Sequence, residues 1–181
     1  MKTAIKRSIA YGALALFAVT ISAPPALAAE KGYRYWGYFQ AKPSATKWAE
    51  AQTGPSVVMA DGSVEGWAFT FSGGSVTKAA APAVLPNFNK ICGGTKAVAQ
   101  KKRVGVVIDF GNPVLAPKGE TVQSIISTCV VLEKKAIGLD ALAKVVKVRA
   151  NAAGFVCGFN NYPKKECGVE IATPRSLIAK K

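Results

Sequence analysis

Few residues of this chain could run acid–base chemistry. It contains no histidine, which removes Ser-His-Asp and Cys-His nucleophile systems together with every His-ligated metal site. Glycoside cleavage by paired carboxylates needs two Asp or Glu side chains roughly 5 to 10 Å apart, and the candidates are Asp61, Glu65 and Asp109. Asp61 precedes Gly62 in a turn. Glu65 stands at the frayed start of an apolar stretch, where a carboxylate reaches water. Asp109 ends an apolar run, where backbone N–H groups or a lysine would satisfy it. No GxxxxGK(S/T), no GxGxxG and no acidic EF-hand loop occurs, so neither a phosphate cradle nor a calcium loop is supported. The chain reads as a non-enzyme, with no cofactor and no metal.

The cysteines point elsewhere. Cys92, Cys129, Cys157 and Cys167 are an even set, and with no CxxC spacing and no histidine they do not form a zinc pattern. Two disulfides are the expectation for an oxidising compartment. Four cysteines allow three pairings; the favoured one joins Cys157 to Cys167 across a short loop and Cys92 to Cys129 across a longer one.

Recognition chemistry rests with the aromatics. Trp36, Trp48 and Trp67, with Tyr33, Tyr35 and Tyr38, form the richest such group, and rings of this kind supply stacking area with a polar handle. Tyr35, Trp36, Tyr38, Trp48 and Trp67 are the candidate ligand-binding residues, in competition with the core's own need for large side chains.

The elements that must carry them are legible from periodicity. Tyr33 to Phe39 is an aromatic run that favours a strand, and Ser63 to Ser72 alternates Trp67, Phe69 and Phe71 with smaller residues, the pattern of a half-buried strand. Ala41 to Pro55 is a loop anchored by Trp48. Gly73 to Pro86 lacks periodicity and reads as a connection, and Asn87 to Cys92 as one or two helical turns ended by Gly93-Gly94. Val104 to Phe110 is the most hydrophobic, β-branched stretch after the N-terminal run and predicts a central strand buried on both faces. Ser124 to Leu132 predicts a further strand, Leu139 to about Val148 an amphipathic helix, Phe155 to Phe159 a strand entering the cysteine loop, and Val169 to Ala172 a weak final strand.

The N-terminus sets the compartment. Lys2, Lys6 and Arg7 precede an apolar run from Ile9 to Ile21 and the small residues of Ala26-Leu27-Ala28, the layout of a signal peptide over 1–28. That run falls short of the roughly 20 residues needed to span a bilayer. A single secreted α+β domain over 29–181 is expected, not membrane-spanning and free once processed. The full sequence has 24 basic and 10 acidic residues, a net charge of +14, which favours anionic surfaces. Apart from Lys101 to Arg103 the basic residues are dispersed, so no nucleic-acid site is expected, and a solvated surface or an anionic envelope polymer is the partner of the charge.

Taken together, YRYWGYF at Tyr33 to Phe39, Trp48 followed by Gly54-Pro55, DGSVEGWAFTF at Asp61 to Phe71, KKRVGVVIDFG at Lys101 to Gly111, GLDAL at Gly138 to Leu142 and the Cys157 to Cys167 loop resemble an uncharacterised family of actinobacterial secreted proteins. That resemblance implies a gene neighbourhood shared with energy-coupling-factor vitamin or metal transporters, hence a transporter component as partner. A second similarity is to the β-grasp domain at the C-terminus of transcobalamin. It implies a circularly permuted β-grasp-like mixed sheet with one main helix, made of halves 33–71 and 124–172 with 73–121 inserted, and a corrinoid or other vitamin as ligand. Such a sheet would set the Tyr33 strand beside the Cys157 segment. The leading functional expectation is an exported accessory or binding protein that captures a small ligand for an uptake system; the alternative is a structural or interaction protein of the cell envelope.

Overall fold

The computed structural model describes residues 30–178; the expected signal peptide lies outside these residues. Its strands and helices, in chain order, are β1 (Lys31–Ala41), β2 (Ala49–Glu50), β3 (Val64–Ser72), α1 (Phe88–Cys92), β4 (Lys101–Asp109), β5 (Ile126–Glu133), α2 (Gly138–Ala143), β6 (Val148–Ala150), β7 (Val156–Phe159) and β8 (Val169–Ala172). The fold is α+β, dominated by sheet, with short helices and two disulfides.

The main sheet runs β2-β1-β3-β4-β5, with β8 also pairing β1. β1 and β3 pair antiparallel over their whole lengths, from Tyr33 opposite Ser72 to Ala41 opposite Val64. β3 and β4 are parallel, so the chain between them must cross over, and it does so through the 73–100 segment that carries α1. β4 thus lies inside the sheet between β3 and the edge strand β5, one place from the central strand β3, with its Val104–Asp109 portion buried on both faces. Lys101 and Arg103, expected to precede the strand, lie within it.

One face of the sheet carries Trp36, Trp67, Phe69, Phe71, Val104, Val106, Ile108 and Phe110, covered by Leu142 of α2 and by Phe159 and Tyr162. The opposite face packs Ala41, Val64 and Val107 under Trp48, Val84, Phe88 and Ile91. β3 is therefore buried on both faces, not half-buried as its alternation suggests: Trp48 and Pro82 lie directly over Gly66, within 2.7 and 3.1 Å of where a Cβ would stand.

The helix expected from Leu139 to Val148 stops at Ala143. Lys144 and Val145 close a tight last turn through N–H bonds to Ala141 and Leu142 C=O, and the β-branched run that follows enters β6, which pairs with β7. Val146 stays in the core either way.

Both disulfides form as favoured. Cys92–Cys129 ties α1 to β5, and Cys157–Cys167 ties β7 to the segment leading into β8. The second loop is further held by Arg149, whose Nη2 donates to Cys157, Pro163 and Glu166 carbonyls at 3.1, 2.7 and 2.6 Å. Arg34 of β1 pairs with the Glu166 carboxylate in a two-pronged ion pair. The Tyr33 strand and the Cys157 segment are neighbours, with the Trp36 and Phe159 rings 4.2 Å apart. They meet face to face and not by strand pairing, because β7 pairs with β6 in a separate two-stranded sheet.

Candidate functional site

β1 and β3 alternate their side chains, so Trp36, Tyr38 and Trp67 project from one face of the sheet. They meet a loop from Ala51 to Pro55 on one side and Gly154 to Val156 on the other, and together enclose a pocket of about 320 Å³. Tyr38 stacks on Trp67, with ring centroids 4.9 Å apart and planes 22° from parallel. Trp36 packs against Phe69, Phe110 and Phe159 at 5.5, 5.4 and 4.2 Å. Its indole N–H is buried and has no hydrogen-bond partner among the described residues. Phe155 stands 47% exposed at the rim, and no charged side chain lines the pocket.

Beneath this wall lies a polar group. The Tyr38 hydroxyl donates to Glu65 Oε2, and Gln40 Nε2 donates to Tyr38 Oη at 2.8 Å and to Glu65 at 3.3 Å. Glu65 is 1% exposed, which corrects the expectation of a water-accessible carboxylate. Its strand starts between β1 and β4, not at a frayed end. Burial raises the Glu65 carboxyl, against the hydrogen bonds from Tyr38 and Gln40 and the charge of Lys102. Burial, then the Glu65 charge, pushes the Tyr38 hydroxyl far above the usual tyrosine range.

Lys102 is itself buried, donating its three ammonium protons to the Met59, Lys134 and Ala136 carbonyls at 2.6, 3.0 and 2.8 Å. Burial lowers its pKa, with Glu65 foremost among the charges that oppose it. The arrangement positions a ring; it presents no nucleophile and no free acid to the pocket.

Gly138 opens α2 and fixes the remaining wall. A Cβ there would lie 2.8 Å from Tyr38 Oη and 2.9 Å from Pro55 Cβ, while Leu139 N–H donates to Pro55 C=O at 2.9 Å. Glycine lets the helix, the loop and the tyrosine converge.

The other two predicted binding residues lie elsewhere. Trp48 is on the opposite face of the sheet, its Nε1 donating to Val84 C=O at 2.9 Å. Tyr35 alternates away from Trp36 and shares a 3.1 Å hydrogen bond with Ser72 Oγ. The remaining carboxylate candidates are satisfied by backbone. Asp61 accepts from Arg103 N–H at 2.6 Å, and Asp109 from Ala83 and Gly111 N–H at 2.8 and 2.9 Å. A larger cavity of about 490 Å³ lies at the far end of β3 and contains none of the predicted aromatics. Gln40, Lys102, Gly138 and Phe155 were not singled out by sequence. For Gly138 the GLDAL segment was a signal; for the others only long-range packing reveals a role.

The profile of the SCO2322-like domain matches residues 28–172, a span that holds β1 to β8, α1 and α2. The chain belongs to that family. No curated protein and no solved structure matches it. All walls of the aromatic pocket and both disulfides of this SCO2322-like domain fall inside the matched span. Among its described residues no helix is long and apolar enough to cross a membrane.

Proposed function

We propose that this SCO2322-like protein is an exported binding or accessory protein that captures a small, flat, uncharged ligand in the pocket of Trp36, Tyr38 and Trp67, and presents it to an uptake system. The observation that carries this reading is the convergence of those three rings on one pocket without a charged lining. Ligand pockets of roughly 300 to 1,000 Å³ are mostly apolar with a few placed polar groups. At about 320 Å³ this one would take a single planar ring system and not a whole corrin macrocycle. The stacked Tyr38 and Trp67 rings, with Trp36 beside them, supply the area on which such a ligand's ring would pack. Export is supported by the N-terminal signal pattern and by two disulfides, and a transporter component as partner follows from the family resemblance. Tryptophan fluorescence and thermal shift against a vitamin and metal panel, at low and high salt, test it.

A second reading is an envelope interaction protein that docks on anionic polymer, favoured by the full-sequence net charge of +14, of which Lys2, Lys6 and Arg7 of the expected signal peptide supply only three. It predicts binding that weakens steeply with salt and ignores small ligands.

A further inference from the structure

β3 outruns β4. β1 pairs with β3 out to Ser72, whereas β4 pairs only with Val64 to Ala68 and ends at Asp109. The Asp109 carboxylate accepts N–H bonds from Ala83 and Gly111. Gly111, at φ +86°, turns the chain out of the sheet hard against Phe69 C=O, which a Cβ there would meet at 2.1 Å. Beyond that turn one strand's width of sheet is vacant.

The larger cavity, about 490 Å³, occupies this vacancy. Four consecutive residues, Ala68 to Phe71, line it; because their side chains alternate between faces, a single cavity reaches all four only along the strand's edge. Leu115, Ile125 and Leu177 give it apolar walls. Gly105 N–H donates to Ser63 C=O, so the odd-numbered residues of β3 direct their backbone groups towards β4. Phe71 therefore turns its N–H and C=O to the vacant side, where neither has a partner among the described residues.

Charge complements this geometry. A bridge between Gly73 and Val76 starts a hairpin that does not continue, and the same register would set residue 78 opposite Phe71. Lys78 lines the cavity, is exposed, and makes no ion pair among the described residues. Asn112 stands at the rim with its Oδ1 already accepting from Val114 N–H, which leaves its amide donors outward. The lining thus carries the Phe71 N–H, the Lys78 ammonium and the Asn112 amide as donors, beside one carboxylate, Asp109, that already accepts from Ala83 and Gly111 N–H.

We propose that this cavity is a second ligand site, separate from the aromatic pocket, for a carboxylate-bearing amphiphile of medium chain length. The carboxylate accepts from Phe71 N–H and Lys78, charge-assisted at the lysine, and the hydrocarbon lies against Leu115, Ile125 and Leu177.

The test is calorimetric titration of the purified chain with octanoate, decanoate and dodecanoate, with decanol and the apolar peptide acetyl-Val-Leu as comparisons. Saturable binding of at least one acid is expected, weakened roughly tenfold by Lys78→Gln, the loss of one charge-assisted hydrogen bond. Ala80→Leu, at an exposed position on the rim, should weaken it through bulk, and Phe155→Ala in the aromatic pocket should leave it unchanged. No binding of any acid, equal binding of decanol with no effect of Lys78→Gln, or binding of acetyl-Val-Leu alone would overturn the proposal, the last by assigning the edge to peptide strands.

Discussion

The Tyr38 hydroxyl donates to the carboxylate of Glu65, which lies outside the aromatic pocket that the Tyr38 ring lines, and Glu65 is 1% exposed. Burial raises the Glu65 carboxyl, so the folded chain keeps this proton at pH values where the unfolded chain has released it. Its contribution to stability is full below the unfolded carboxylate range and is lost as pH rises through the folded pKa. Glu65→Gln stays neutral throughout. Melting temperatures across pH should show the variant gaining on the wild type from about pH 4 upwards; a wild type that gains on the variant instead would place an ionised, stabilising carboxylate there.

Glu65→Ala leaves the part-buried Tyr38 hydroxyl without its acceptor, while Gln40 keeps its bond to Tyr38 Oη. Unsatisfied buried donors cost about 1 to 3 kcal/mol, so urea denaturation should show a loss of that size, and Tyr38→Phe combined with it should recover part of the loss.

Gly138→Ala drives a methyl group into Tyr38 Oη and Pro55. Overpacking of this kind costs roughly 1 to 3 kcal/mol. A matched drop in melting temperature is expected together with weaker ligand binding, because both contacts belong to the pocket wall. Gly94→Ala, where a Cβ meets nothing within 4 Å, is the control.

Trp48 and the pocket tryptophans should separate by readout. Trp48→Ala removes a large side chain from the second core and its bond to Val84 C=O, and should cost about 3 to 5 kcal/mol without changing the site that ligand occupies. Trp36→Phe shrinks a ring that lines the pocket and also packs on Phe69, Phe110 and Phe159; it should weaken ligand binding and lower the melting temperature through the cavity it leaves.

Replacing Cys157 and Cys167 with alanine frees the loop that Arg149 and Arg34 otherwise hold. Loss of a native disulfide in a small secreted domain costs roughly 2 to 5 kcal/mol. Here the residual Arg149 bonds to Pro163 and Glu166 carbonyls should keep the loss at the lower end, and Arg149→Lys in that background should deepen it, as read by thermal unfolding.

How much of this was legible in the sequence follows from the range of each interaction. Strands built on local alternation or on β-branched runs, such as Tyr33 to Phe39 and Val104 to Phe110, emerge within a few residues of their observed bounds. The helix after Gly138 ends earlier than its period predicts, because Leu142 and Val146 satisfy a helical period while the run from Val145 to Val148 also suits a strand, and pairing with β7 decides between them. The burial of Glu65 is invisible locally because Tyr38 and Gln40, its partners, are far from it in the chain. Of the five aromatic candidates, Trp36, Tyr38 and Trp67 share a pocket, whereas Tyr35 and Trp48 do not. Strand parity separates Tyr35 from Trp36, but nothing local shows that Trp48 crosses to the other face.

The most direct measurement is a tryptophan-fluorescence titration of the purified chain with neutral heterocyclic vitamins, at low and high salt, on the wild type, on Phe155→Ala and on the pocket-filling Ala51→Leu. Capture in the aromatic pocket predicts saturable quenching by at least one compound that persists at high salt and is weakened by both substitutions. Quenching by none of them, or quenching that both variants leave intact, would contradict it.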